Sequence, residues 1–160
     1  MRVYKAPEHY ELDENDFSIF LGGSIEMGKA EDWQTRLTNL LASYNNVVIL
    51  NPRRDDWDSS WVQDPTPGTK FYEQVDWELC SQDAASLLVY YFDPETKSPI
   101  TLLELGSYGS VDPRNVIVCC PDGFWRKGNV VMFCNHNFVK MVENFDDLVK
   151  EIITRVEKHI

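Results

Sequence analysis

Four short apolar runs constrain this chain more than any other feature: "FSIFLGG" (17–23), the "VVIL" of "NNVVILNP" (45–52), "ASLLVYYF" (85–92) and "NVIVCC" (115–120). None alternates apolar with polar residues. A strand that is apolar on both sides must be covered on both sides, which in soluble chains means a parallel sheet between two layers of helices. The segments between the runs supply those helices. In 24–44, Trp33, Leu37, Leu40, Leu41 and Tyr44 recur at helical spacing. Residues 70–84 are mixed in polarity, with Phe71, Val75, Glu78 and Leu79 close to one face. "SPITLLELGSYGS" (98–110) reads as a helix with Ser98 as N-cap and Pro99 in the first helical position. The tail "NFDDLVKEIITRVEKHI" (144–160) repeats Leu148, Ile152, Val156 and Ile160 every four residues, with acids early and bases late to match the helix dipole.

The alternation predicts an α/β protein, an open parallel-sheet three-layer sandwich of the flavodoxin or Rossmann-like kind. It is expected as a single domain over 1–160, with 1–16 an extended lead-in. In such sheets ligands sit outside the carboxyl ends of the strands. The segments "GGSIEMG", "NPRRDDWD" and "FDPETKSPITLLE" should therefore share one edge.

A net charge of −11 argues against nucleic acid as a partner. No run approaches the ~18 apolar residues of a membrane span. The first residues lack the apolar core of a signal peptide, and the four cysteines form no CxxC pair, so the expected setting is cytoplasmic with reduced, buried thiols. The three histidines have no partner at ligand spacing, so no metal site is expected.

Glu104 is the residue that asks for an explanation. It stands between Leu103 and Leu105 and is followed by Gly106, although Glu is rarely buried unless paired. Glu78 or Asp76, on the helix before the third strand, could face it across the cleft. Two acids across a cleft suit glycosyl transfer, where one attacks or stabilises the anomeric carbon and the other handles the leaving group's proton. The competing explanation is chance, since 26 acids share 160 residues. Gly22, Gly23 and Ser24 form a strand-to-helix turn that either admits a ligand to the backbone or is merely tight. "RRDDWD" (53–58) reads as a solvated charge cluster, and Trp57 and Trp61 as the exposed pair among the five tryptophans.

"FLGGSI", "EQVDWEL" and "SPITLLELG" together resemble the nucleoside 2-deoxyribosyltransferase family, including its nucleoside 5′-monophosphate N-glycosidase relatives, over about residues 17–135. The resemblance implies that Glu104 is the nucleophile that attacks C1′ of the deoxyribose and expels the base. It implies an acidic partner at Glu78, where relatives usually carry Asp, or at Asp76 if the alignment slips by two. Glu78 is preferred for its longer reach. Ser24 and Ser98 would hold the sugar's 5′-phosphate or 5′-hydroxyl. Phe20 stands where the family commonly has a tyrosine that positions the nucleophile. Asp56 and Trp57 would lie toward the base. Asn129 corresponds to a residue that reaches a neighbouring subunit's site, which implies a homo-oligomer with a shared active site. The expected substrate is a small nucleoside or nucleotide, with no metal or organic cofactor. Two rival readings stand beside this one: a non-catalytic domain of the same fold that binds a nucleotide-like ligand, and a hydrolase of another ribosyl compound.

Overall fold

The computed structural model describes residues 1–25, 31–56, 58 and 60–159. Six strands form one sheet: β1 (Arg2–Lys5), β2 (Phe17–Gly23), β3 (Val47–Asn51), β4 (Leu87–Tyr91), β5 (Val116–Cys119) and β6 (Lys140–Val142). Their spatial order is β1-β3-β2-β4-β5-β6, and every neighbouring pair is parallel. Among the described residues five α-helices cover the sheet: α1 (Trp33–Leu40), α2 (Lys70–Ala84), α3 (Pro99–Val111), α4 (Lys127–Asn137) and α5 (Phe145–His159). This is the expected open three-layer α/β sandwich.

Period two along each strand divides the core. Phe20, Val48, Leu50, Leu88, Tyr90 and Val118 face Trp77 of α2, Leu105 of α3 and Val130 and Cys134 of α4. Ile19, Leu21, Ile49, Val89, Tyr91 and Ile117 face Trp33 and Leu37 of α1 and Leu148, Ile152 and Val156 of α5. Because both faces are covered, β2, β3, β4 and β5 have almost every side chain buried. That is why they read as unbroken apolar runs.

Several local expectations are corrected. The lead-in is not merely extended, since Arg2–Lys5 pairs with Val48–Asn51 as an edge strand. α1 ends at Leu40, four residues short of Tyr44, and Leu40 is half in water. Ser98 does occupy the N-cap of α3, but its backbone is left-handed (φ 45°) and its hydroxyl makes no capping bond. Ile160, expected in the apolar stripe of the tail, lies outside the described residues. Among the thiols, Cys119, Cys120 and Cys134 are buried and Cys80 is exposed, and all four are free. No helix among the described residues is long and apolar enough to cross a membrane.

The order of crossovers positions a crevice. The chain leaves β2 through α1 to β3 on one side, then returns over β2 through α2 to β4 on the other side. Such a reversal opens a cleft at the carboxyl ends of the two strands that flank it, here β2 and β4.

Candidate active site

The turn at the end of β2 is set by close contact with β4. Gly22 lies opposite Tyr90 and Gly23 opposite Tyr91. A Cβ on Gly22 would stand 2.6 Å from the Tyr90 ring, and one on Gly23 would stand 2.4 Å from the Tyr91 carbonyl oxygen. Gly23 also has φ +144°, a conformation that side chains rarely adopt. Packing against β4 thus accounts for both glycines without a ligand. Ser24 follows, almost completely buried. Its hydroxyl lies 2.7 Å from Thr96 Oγ1 and 2.6 Å from Ser98 Oγ, and it accepts the Asp93 backbone N–H at 2.9 Å. Ser98 and Thr96 are themselves bonded at 2.8 Å. The three hydroxyls join the turn after β2 to the turn after β4, which explains why the Ser98 side chain does not cap its helix.

Glu104 and Glu78 meet between α3 and α2. Gln82, one turn beyond Glu78 and 2% exposed, donates its Nε2–H to Glu104 Oε1 at 2.9 Å and to the Glu78 backbone carbonyl at 3.3 Å. Its Oε1 accepts the Tyr90 hydroxyl at 2.7 Å. The tyrosine therefore fixes which end of the amide faces Glu104. Gln74, one turn before Glu78, donates to Glu78 Oε1 at 2.6 Å and to the Pro52 carbonyl at 2.8 Å. Each carboxylate thus receives one amide N–H in a partly dry setting.

The electrostatics follow from that geometry. The Glu104 carboxyl is pushed up to about 8, by burial first and by the neighbouring Glu78 second, against the opposing bond from Gln82. Burial also raises Glu78 against the bond from Gln74. Removing two nearby acids from water makes their joint ionisation unfavourable, so they titrate as a pair. Asp76, by contrast, is exposed and makes no part of this network among the described residues. The geometry therefore pairs Glu104 with Glu78.

Phe20 is 1% exposed and packs in the core beside Tyr90. It offers no hydroxyl, and a tyrosine hydroxyl is instead linked to Glu104 by Tyr90, through Gln82. Asp56 lies in the loop after β3, where it holds Arg54 through a two-point bond of 2.8 and 3.0 Å. The expectation of a solvated "RRDDWD" is corrected at Arg54, which is 6% exposed. Trp57 lies outside the described residues, as do 26–30 of the "GGSIEMG" segment. Trp61 is half-buried rather than exposed, with the Arg54 guanidinium and the Lys70 ammonium each 4.9 Å from its ring centre. Asn129 is exposed in the first turn of α4. Among the described residues no three His, Cys, Asp or Glu side chains gather as a metal ion would require.

Sequence reading missed Gln82, Gln74, Tyr90 and Arg54. Tyr90 carries only the signal of a strand residue in "ASLLVYYF", and a lone Gln on a mixed helix gives no periodic or motif signal.

The fold and the acid couple define a class, that of open parallel α/β proteins with a coupled carboxylate pair beside the carboxyl-edge crevice. Within that class, a family model described as "Nucleoside 2-deoxyribosyltransferase like" matches residues 16–124, and the chain belongs to this family. No curated protein matches the chain by sequence. Among solved structures, one titled "Crystal structure of conserved protein from Enterococcus faecalis V583" is similar with a TM-score of 0.59 at 16% identity, covering 88% of this chain and 99% of that one. At that identity the likeness establishes the fold.

Proposed function

We propose that the protein cleaves or exchanges the N-glycosidic bond of a 2′-deoxynucleoside or its 5′-monophosphate, with Glu104 as nucleophile. The observation that carries this reading is the partly buried Glu104–Glu78 pair, held by Gln82 and Gln74, in a chain of the deoxyribosyltransferase-like family. Because the pair resists losing both protons, it retains one near neutrality. Gln82 donates to Glu104 and Gln74 to Glu78, so neither amide alone decides where the shared proton sits, and the reactive form is the one with the charge on Glu104 and the proton on Glu78.

The chemistry then runs in two steps. A Glu104 carboxylate oxygen attacks C1′ as the C1′–N bond breaks, and the departing base takes the proton of Glu78. Water or a second base next attacks C1′ from the vacated side and gives a proton to the Glu78 carboxylate. The ester bond breaks and Glu104 is restored, with net retention at C1′. Tyr90 and Gln82 act as positioning residues for the carboxylate. The turn 22–24 and Ser98, locked together by their hydroxyls, form a rigid wall at the sugar end. Asp56 and its neighbours border the base.

A homo-oligomer with a shared site belongs to the same reading. Its support is the outer face of α3 and α4, where Ile100, Leu103 and Met132 are each at least 60% exposed near the exposed Asn129. The cytoplasmic setting is supported by four free cysteines.

The test is an intact-protein mass spectrum after mixing with deoxynucleosides and, separately, their monophosphates, with free base followed in the same samples. A deoxyribosyl adduct with base release, both absent in Glu104→Ala, is the expected result. Binding without any release from either substrate class would overturn the reading in favour of a ligand-binding domain.

A further inference from the structure

We propose that Gln74 is the positioning residue of the proton donor: its amide confines the Glu78 proton to Oε2, the oxygen from which the departing base takes it. This rests on the glycosidic function proposed above. Gln74 stands four residues before Glu78 on α2, so the two side chains share one face of the helix. Its Nε2 donates to Glu78 Oε1 at 2.6 Å and to the Pro52 carbonyl at 2.8 Å. A carbonyl only accepts, so the nitrogen of this amide must face Pro52. The backbone of the loop after β3 thereby fixes which end of the amide meets the acid.

That orientation has a cost. Gln74 is 4% exposed, and its own Oε1 is buried with no hydrogen-bond partner. An unmet buried acceptor destabilises a fold, and a methionine of similar size would carry no such defect. Packing therefore does not explain this glutamine, whereas the acid beside it does. An amide pinned by Pro52 can donate to Glu78 but cannot accept from it. A proton on Glu78 Oε1 would point at the Gln74 N–H, hydrogen against hydrogen. It is held instead on Oε2, which receives no hydrogen bond among the described residues.

Gln82 treats the nucleophile in the same way, occupying Glu104 Oε1 and leaving Oε2 to attack. Each acid thus presents one free oxygen. As the C1′–N bond breaks, its electron pair passes to the base nitrogen, that nitrogen takes the Oε2 proton, and Glu78 is left as a carboxylate. The same contact bears on titration, because the Gln74 bond favours the charged form of Glu78 against burial. The other titratable groups around the pair are Tyr90 from β4 and Tyr108 from α3. Both feel the Glu104 charge, and both are pushed up, Tyr108 to about 12 and Tyr90 beyond it, chiefly by burial. They keep their protons while the carboxyls titrate.

The experiment compares wild type with Gln74→Met, after thermal melts confirm folding. The substrates are 2′-deoxyguanosine and its N7-methylated form, each as the nucleoside and as the 5′-monophosphate. The methylated purine is already cationic, becomes neutral on taking the bonding pair, and needs no proton to leave. Gln74→Met should lower kcat for guanine release about tenfold or more with KM little changed, and leave 7-methylguanine release within about threefold. Equal slowing of both, as a merely structural defect would give, overturns the assignment and keeps the glycosidic reading, and so does undiminished guanine release. Should Gln74→Met not fold, Gln74→Asn, one methylene too short to span Pro52 and Glu78, takes its place. The glutamate carboxyl carbons, followed by NMR against pH, read the contact without turnover. Loss of the Gln74 bond should let Glu78 hold its proton to higher pH. That shift without base release from any substrate keeps the Gln74–Glu78 coupling and removes the glycosidic reading, whereas an unshifted titration overturns the coupling.

Discussion

Replacing Glu104 by Gln should stabilise the protein, by an amount that depends on pH. The folded pair keeps a proton up to about pH 8, whereas a free glutamate loses it near 4.5. Between those values the unfolded chain binds fewer protons than the folded one, so wild-type stability falls as pH rises. At 1.36 kcal/mol per pH unit, the interval from 4.5 to about 8 sets a ceiling of about 5 kcal/mol. Glu104 is only partly buried, and water and relaxation reduce such values by a factor of two to three, leaving about 2 kcal/mol. Gln can still accept the Gln82 bond through its own carbonyl, so the substitution removes the charge and keeps the contact. Thermal melts of both proteins at pH 5, 7 and 9 measure the difference. Close agreement is expected at pH 5, with the variant melting about 4–8 °C higher at pH 9. Equal melting temperatures at pH 9, or a variant that is less stable there, would refute the claim that Glu104 is held against its preferred ionisation.

Other expectations follow from the same network. Tyr90→Phe leaves Gln82 Oε1 buried without its 2.7 Å donor, which should cost about 1–3 kcal/mol of stability. It should also lower kcat about tenfold with KM little changed, and move the alkaline limb of the pH–rate profile. Gly22→Ala places a methyl group 2.6 Å from the Tyr90 ring, and the overpacking should cost about 1–3 kcal/mol in denaturant melts. Glu78→Gln should slow base release at least a hundredfold, while Asp76→Asn, on the exposed side of α2, should leave it within about twofold. Wild-type kcat should decline above pH of about 8, as the pair loses its last proton.

Much of this fold was legible because it is written in periodicity. The strand at Phe17–Gly23 and the helix at Lys70–Ala84 appear at the bounds read from sequence, since burial on both faces, or on one face of a helix of mixed polarity, leaves a local mark. β1 and β6 left none. They are edge strands of four and three residues with only partial burial, and pairing with Val48–Asn51 or Ile117–Cys119 is what makes them strands. α4, "KGNVVMFCNHN", buries only Val130 and Cys134 and so carries too little apolar repeat to be seen.

The site divides in the same way. Local sequence alone determined a parallel α/β sheet, a carboxyl edge built from three named segments, and a glutamate out of place among leucines. These follow from burial, and burial acts residue by residue along the chain. Tertiary structure decided which acid faces Glu104, that Tyr90 and Gln82 orient it, that Ser24 and Ser98 bond to each other, and that Arg54 is buried within a stretch that reads as solvated. Each of these is a contact between side chains more than one turn apart or on different elements. The direction of an amide or a guanidinium is set by its partner across the fold and leaves no trace in its own neighbours along the chain.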